Sequence, residues 1–365
     1  MTEYDVVVIG GGSAGLNTAI NCSRAGLNVA VVEEHGKIGF PRHCSGLYST
    51  RFLSLMPVRD EYYEHEVSGA RFHPPSGKTI ELARKERVAF VINRELLDGY
   101  LGKLTKEAGA NVISNARVSD LSTEPGATCV TTDKGVLTTK LICGADGSNS
   151  FVRRKLGIEP PNKLHGIMAI TSEQDYSDCV DLYFDNRLYP GFFAWKIPRG
   201  KTIEYGIAGE IGPNNVQNFN SFLAKFSVTK YELSSGVIPF GFQKSYADKI
   251  LLVGDAAAQV KPLTGGGVIY GAICAQAAAQ VFAEAVQKNR LDEKFLSRYQ
   301  NLWRGRIGKG IARGLLIRKI YGGMPNSVID ASFALMNNNI TKNIFENYGD
   351  MEFILERRPH QAVAE

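Results

Sequence analysis

An α/β fold is predicted by three features of this 365-residue sequence. Residues 5–33 read strand, glycine turn, helix, strand. A second buried strand at 250–253 leads into a long alanine-rich helix. Between them, residues 165–245 break into short aromatic strands punctuated by glycine and proline. The architecture expected is a Rossmann-type nucleotide-binding domain, interrupted by an inserted and mostly antiparallel β domain for substrate, and followed by C-terminal helices. The discontinuous first domain is drawn at 1–48, 90–164 and 246–290, the inserted domain at 49–89 and 165–245, and the C-terminal helical region at 291–365.

Taken in order, Asp5–Ile9 and Asn28–Val32 are apolar, β-branched runs, and Leu16–Ala25 between them has helical spacing. Arg94–Ala108 is a second amphipathic helix that leads into Asn111–Ile113. Alternating segments at 116–121, 127–132 and 136–142 suggest a small β-meander. Gly191–Pro198 and Tyr205–Gly209 read as strands of the inserted domain. Ile250–Val253 returns to buried-strand character, and a helix is expected from about Gly267 to Gln287. The rest of the chain reads as helical, with no internal repeat and no low-complexity linker.

Composition narrows the class. With 44% hydrophobic and 22% charged residues the chain is ordinary globular material. It has no run of about 18 uncharged apolar residues, so no spanning helix is expected. The N-terminus enters a strand at Tyr4 without a basic segment or cleavage site, so no signal peptide is expected. Six scattered cysteines with no CxxC pair imply reduced thiols in a cytoplasmic setting, and no metal site.

The net charge of +5 is unevenly spread. Between Lys294 and Val328 there are eight basic residues (Lys294, Arg298, Arg304, Arg306, Lys309, Arg313, Arg318, Lys319) and no acid. Leu302, Trp303, Ile307, Ile311, Leu315, Leu316 and Ile320 interleave with them. Such a stretch is either a packed helical pair with a solvated basic face or a surface for anionic head groups or a substrate phosphate. In the second case each basic residue contributes about 1 kcal/mol. With no aromatic stacking platform beside the charge, nucleic acid is not an expected partner.

Gly10-Gly11-Gly12-Ser13-Ala14-Gly15 follows a strand and opens a helix. Gly10 allows the tight turn, Gly12 lets backbone approach a pyrophosphate, and Gly15 lets helix and strand pack closely. The helix N-terminus faces the anion. Glu33, at the end of the next strand, would accept hydrogen bonds from ribose hydroxyls and repel a 2′-phosphate; Glu34 is the lesser candidate. These features favour FAD or NAD over NADP.

The far end of the chain decides between the two. Ile250-Leu-Leu-Val-Gly-Asp-Ala-Ala-Ala258 and Pro262-Leu-Thr-Gly-Gly-Gly-Val268 resemble the second FAD motif of the para-hydroxybenzoate hydroxylase superfamily. Asn93-Arg94-Glu-Leu-Leu-Asp98 and Gly144-Ala-Asp146-Gly147-Ser148 fit it too. The resemblance implies an FAD-binding domain in which Asp255 holds the ribityl chain and Arg94 contacts the FAD backbone. Gly265, Gly266, Gly267 and Val268 would bring backbone N–H groups and a helix N-terminus against the flavin pyrimidine, favouring its anionic reduced form. Gly10, Gly12, Ala14, Gly15 and Glu33 complete the site, with the strand near Val118 beside the adenine. Asp146 is expected to brace its loop more than to touch substrate.

Two further stretches bear on the chemistry. Pro41-Arg42-His43-Cys44-Ser45-Gly46 and Tyr189-Pro190-Gly-Phe-Phe193-Ala-Trp195-Lys-Ile197-Pro198 resemble segments of the geranylgeranyl reductase family, over roughly residues 4–320. That family carries a cysteine beside the flavin and a P-x-x-Y-x-W-x-F-P segment lining its lipid cavity. Here Phe193 stands for its tyrosine and Ile197 for its phenylalanine. The resemblance implies FAD-dependent reduction of geranylgeranyl chains, with a geranylgeranylated glycerophospholipid of the archaeal type as the first candidate among isoprenoid lipid substrates. An isolated prenyl double bond is not electrophilic, so a hydride must be matched by a proton from a nearby donor. Cys44 is the first candidate and His43 the second, with Cys44 and Gly46 also counted among the residues touching the cofactor. Phe193, Trp195 and Tyr205 are the candidate substrate wall.

Alternatives remain at this level. Cys44 has a second reading as an inert small hydrophobe, and the aromatics read equally as plain domain core. The electron donor (NAD(P)H, ferredoxin or another reduced carrier) is open, because no second dinucleotide fingerprint exists. A monooxygenase acting on a small aromatic or apolar substrate is the main rival, and a lipid-binding flavoprotein without turnover is the third; halogenation is not expected, since no W-x-W-x-I-P segment occurs. The expected location is cytoplasmic, with peripheral membrane contact.

Overall fold

The computed structural model describes residues 3–42, 44–56, 59–124, 127–338 and 343. Contacts divide the chain into two units, Met1–Arg42, Arg94–Lys163 and Val237–Ile311 in the first, His43–Asn93, Leu164–Gly236 and Ala312–Glu365 in the second. Residues 43–48 and 90–93 thus group with the second unit, and 237–245 with the first. The segment drawn as a separate C-terminal region is shared, its residues up to Ile311 grouping with the first unit.

The first unit is built on a sheet in the order Tyr246–Ala247, Ile250–Leu252, Gly135–Gly144, Glu3–Ile9, Val29–Val32, Asn111–Ile113. Val6, Val7 and Val8 are all fully buried. Three consecutive buried valines have no polar alternation because both faces of a parallel strand are covered. The register aligns Ile9 with Val32 on one side and Gly144 on the other, and Gly144 with Leu252. Four strands therefore end level, and ligands of open α/β sheets bind outside such carboxyl ends.

Gly135–Gly144 serves two sheet regions. It runs parallel to Glu3–Ile9 and antiparallel to Ala127–Thr132, which pairs in turn with Val118–Glu124. The meander expected from the alternation is therefore not separate from the parallel sheet. The glycine-turn helix is Ser13–Arg24, and the alanine-rich helix is Val268–Gln287. By length and composition the latter, at mean hydropathy 1.3, is apolar enough to cross a membrane, yet 72% of that window is buried. Its small residues serve to pack it against Ser13–Arg24.

The second unit carries a seven-stranded sheet in the order Glu232–Phe240, Asn162–Thr171, Ile203–Glu210, Ala194–Pro198, Cys179–Tyr183, Gly69–His73, Ile80–Ala83. Strand periodicity of two splits its residues between faces. Tyr205, Ile207 and Ala194 pack under the helix Asn215–Ala224, against Phe219, Phe222 and Leu223. Ile197 and Val180 point the other way, onto Val67, Ala89 and Val91 of a small sheet made by Leu47–Ser49, Ala89–Ile92 and Tyr63–Val67. Ile329 and Phe333 of the helix Asn326–Met336 close a further cluster on Ile80.

Asp175 pins the turn that carries Arg199 and Gly200. Its backbone bonds Gly200 in both directions, and its carboxylate accepts from Lys196 Nζ at 2.6 Å and from Ser177 N at 2.9 Å and Oγ at 2.6 Å. Burial pushes this carboxyl up, but the bonds from Lys196 and Ser177 together outweigh it and hold it at about 2, against an ordinary 3.8. A folded-state value below the unfolded one means the stabilisation is complete above about pH 4 and is lost as the pH falls towards 2. Asp175→Asn should cost about 1–2 kcal/mol at neutral pH in urea titrations, after allowance for solvent screening. The gap from wild type should close between pH 4 and 2; a gap of constant size would show that the carboxylate's charge contributes nothing.

Candidate functional site

Within the first unit the glycine turn sits at the level strand ends. Gly10 has φ +105°, and a Cβ there would lie 2.4 Å from the Ala145 carbonyl oxygen. A Cβ on Gly15 would lie 2.0 Å from the Gly10 carbonyl oxygen, so only glycine lets helix and turn approach this closely. Gly12 faces open space, and it caps the helix Ser13–Arg24 without any side-chain hydrogen bond. The first-turn N–H groups are thus left for a ligand, at the positive end of the helix dipole.

Glu33 is tied to this turn. Its Oε2 accepts from Gly11 N at 2.7 Å, and its Oε1 meets His35 N at 2.8 Å and Nδ1 at 2.6 Å. A carboxylate has about four acceptor positions, which leaves capacity for a ribose hydroxyl. The backbone of Ala116 bonds the Glu33 carbonyl at 2.9 Å, which brings the strand beginning at Val118 to the same corner. Arg94 opens the helix Arg94–Glu107 and reaches Asp98 Oδ2 at 2.7 Å and Ser13 Oγ at 3.4 Å, so it stands beside the first turn of the glycine helix.

The second motif meets the first through small residues. A Cβ on Gly254 would lie 2.7 Å from the Ala14 methyl, and one on Gly271 would lie 3.4 Å from it. Asp255 lies against the start of the helix Val268–Gln287, where a Cβ on Gly267 would fall 2.5 Å from its Oδ1. That helix also begins without a side-chain cap. Gly265 and Gly266 are held in a tight loop, with Gly265 N on Lys261 O at 3.0 Å and Lys261 N on Gly266 O at 3.1 Å. Asp255 retains some accessible surface, yet protein surrounds it closely enough that burial pushes its carboxyl up, with Arg94 and Arg153 pulling the other way.

Sequence reasoning missed Arg153. It is 3% exposed, donates Nη2 to Ser148 O at 2.9 Å, and has no hydrogen-bond partner among the described residues for Nε or Nη1. Its only signal was a place at the head of a short basic run, Arg153-Arg154-Lys155, in an otherwise ordinary helix start. Asp146 braces its loop as expected, accepting from Ser150 Oγ at 2.5 Å and Val152 N at 3.1 Å. Two uncapped helix starts, a glycine turn open to a ligand, an orphaned buried guanidinium and a partly accessible carboxylate suit a dinucleotide with a pyrophosphate and a polyol. FAD fits this set.

The remaining candidates lie in the second unit. Cys44 is partly exposed; its Sγ accepts from Gly46 N at 3.4 Å and stands 3.6 Å from Tyr48 Oη. Gly46 has φ +70°, and a Cβ there would fall 2.0 Å from the Ile92 carbonyl oxygen. His43 lies outside the described residues. Phe193 stacks on Phe192 with centroids 4.2 Å apart and meets Trp195 edge-on at 6.3 Å. Trp195 donates Nε1 to Glu204 Oε1 at 2.8 Å and fills the space over Gly206. Tyr205 is not brought together with them. It opposes Lys196 rather than Trp195, and lies 2% exposed on the helix-covered face.

Residues 3–190 match a family model described as FAD binding domain. A digeranylgeranylglycerophospholipid reductase of Methanothermobacter thermautotrophicus is 32% identical over 350 residues, 90% of each chain. One from Methanococcoides burtonii is 30% identical over 353 residues, covering 90% of this chain and 86% of its own. The crystal structure of a geranylgeranyl bacteriochlorophyll reductase-like protein from Thermoplasma acidophilum superposes with a TM-score of 0.85 at 23% identity, over 95% of this chain and 97% of its own. That likeness speaks for the fold. FAD is the cofactor.

Asp255→Ala should weaken FAD retention, because the ribityl hydroxyls would lose a charged acceptor worth about 1.5–3 kcal/mol. The measurement is FAD titration of the apoprotein followed by flavin fluorescence. Full occupancy at wild-type affinity would remove Asp255 from the site.

Proposed function

Because the chain belongs to the digeranylgeranylglycerophospholipid reductase family, we propose that it is an FAD-dependent oxidoreductase acting on CH–CH groups, which reduces the double bonds of geranylgeranyl chains. The substrate is a geranylgeranylated glycerophospholipid, and the pathway is archaeal-type membrane lipid biosynthesis. The observation that carries this is similarity to named reductases along nine-tenths of both chains, 32% identical at best among those described above. It favours reduction over hydroxylation.

Once reduced by two electrons, the bound flavin would supply a hydride to one carbon of the double bond and return to its oxidised form. The electrons enter from a reduced carrier such as NAD(P)H or ferredoxin. The chain itself binds the cofactor through Gly10, Gly12, Ala14, Gly15, Glu33, Arg94, Val118, Asp255 and the Gly265–Val268 turn. Its second task is the proton for the other carbon, and we assign that to Cys44. A thiol is a far stronger acid than the hydroxyl of serine, and the Cys44 sulfur stands 3.6 Å from Tyr48 Oη. Phe193 and Trp195 form an apolar wall suited to a prenyl chain, with water excluded by ring area.

Peripheral membrane contact is proposed for the second unit's helical surface. Of the basic residues there, Arg313 and Lys319 are exposed, while Arg318 packs over the Phe192 ring at 5.5 Å. Burial draws Arg318 down to about 10, with Glu210 and Tyr321 opposing it. Leu316, Ile320 and Leu335 are 61%, 53% and 77% exposed, an apolar fringe beside cations that suits an anionic bilayer surface.

Two measurements test these readings. Dithionite-reduced wild type, kept anaerobic, should be reoxidised by a geranylgeranyl lipid in stopped flow, and Cys44→Ser should slow this by 10²–10⁴-fold, of the order general acids contribute. If wild type is not reoxidised by any polyprenyl lipid, the reductase reading fails. Anionic liposome binding should fall as salt screens charges beyond about 8–10 Å. It should also fall in Arg313→Gln/Lys319→Gln and in Leu316→Ser/Ile320→Ser; binding indifferent to all three leaves these helices purely structural.

A further inference from the structure

Arg199 and Glu204 carry no role so far, yet they are the most deeply buried ion pair among the described residues, 1% and 0% exposed. The pair is bonded at 2.9 Å, Arg199 Nη1 to Glu204 Oε2. Glu204 uses its other oxygen to accept from Trp195 Nε1 at 2.8 Å. Arg199 Nη1 also donates to the Ser45 carbonyl, and Nη2 donates to the Ile92 carbonyl at 3.4 Å and forms an ion pair with Glu64, while Nε has no hydrogen-bond partner among the described residues. Glu64 is held in turn by Asn93 Nδ2 at 2.9 Å. One guanidinium thus gathers the loop of Cys44, two strands of the small sheet and the turn of the hairpin that bears Trp195.

We propose that Arg199 and Glu204 are positioning residues that fix the Cys44 loop relative to the Trp195 wall. Ser45 is the residue after Cys44, and Arg199 grips its carbonyl. Gly46, whose N–H bonds the Cys44 sulfur, is pressed on Ile92, with Ile92 N donating to Gly46 O at 2.9 Å. The sulfur is therefore set by backbone on both sides, and both sides rest on the acceptors Arg199 collects. Arginine suits this place because its planar fork presents five donors, whereas an ammonium has three and no plane. Stability alone does not call for such a pair, since buried ion pairs replaced by apolar residues of similar volume often leave a protein as stable or more so. A pair that is costly to bury but geometrically demanding is suited to holding a group in place.

The catalytic consequence rests on the reductase reading; the positioning itself does not. The test uses full-length FAD-loaded protein and two readouts. The first is the rate of Cys44 alkylation by iodoacetamide, resolved by peptide mass spectrometry without lipid. The second is anaerobic stopped flow, comparing flavin reduction with reoxidation by a geranylgeranyl lipid. Arg199→Lys keeps the charge but cannot serve all four acceptors. It should bind FAD and be reduced as wild type does, change the Cys44 alkylation rate, and lose on the order of 10²-fold in reoxidation, as expected for a small misplacement of a reacting group. Glu204→Gln, which keeps the side chain's shape, should shift both readouts in the same direction and serves in its place should Arg199→Lys not fold. Wild-type alkylation of Cys44 in either folded variant would overturn the proposal. Failure of wild type to react with lipid would instead end the reductase reading, and the alkylation arm would still report.

Discussion

The contact of Ala14 with Gly254 and Gly271 is what brings two glycine motifs from far-separated stretches of the chain together in the first unit. Ala14 follows the first glycine turn, and its partners belong to a segment some 240 residues later. A Cβ on Gly254 would lie 2.7 Å from the Ala14 methyl, inside any tolerable carbon contact. With glycine there, two helices start side by side at the level ends of Ile9, Gly144 and Leu252. Side chains of ordinary size would hold those starts apart, and a dinucleotide could then be served at its phosphates or at its flavin, but not at both.

Charge placement follows from that contact. Two uncapped helix starts provide fixed partial positive charge without mobile side chains. Arg94 and Arg153 add full positive charge around Asp255, countering the burial that pushes this carboxyl up. Among the described residues Arg153 has no acceptor for Nε or Nη1, a cost that a buried guanidinium bears only where something else meets it. Glu33 already accepts from Gly11 and His35, so it orders the turn while keeping acceptor capacity for a ribose hydroxyl.

In the second unit the sheet separates two kinds of aromatic residue. Tyr205, Phe219 and Phe222 form helix-covered core, as an inserted domain of this size requires. Trp195 faces the other side, where its ring packs with Ile197 and its N–H reaches the buried Glu204. The difference is one of register. Residues opposite one another in an antiparallel pair share a face, and Trp195 opposes Gly206 while Lys196 opposes Tyr205.

The sequence by itself determined the βαβ start, the glycine turn, Glu33 and the second motif at Asp255 and Gly265–Val268. Each is a local pattern whose spacing has one structural use. It also determined the family, since similarity accumulates over many positions. Only the tertiary structure decided which aromatic residues share a face, because Trp195 and Tyr205 look alike until the strand register is known. It alone showed Arg153 beside Asp255, and Arg199 with Glu204 beneath the Cys44 loop, because arginine and glutamate are common and their partners lie far along the chain. Glu204 did leave a trace, a charge inside the apolar strand Ile203–Glu210, but a lone buried acid names no partner. Burial also divided the basic stretch, placing Arg318 over an aromatic ring and Lys319 in solvent, a distinction that adjacent residues with equal charge cannot express in sequence.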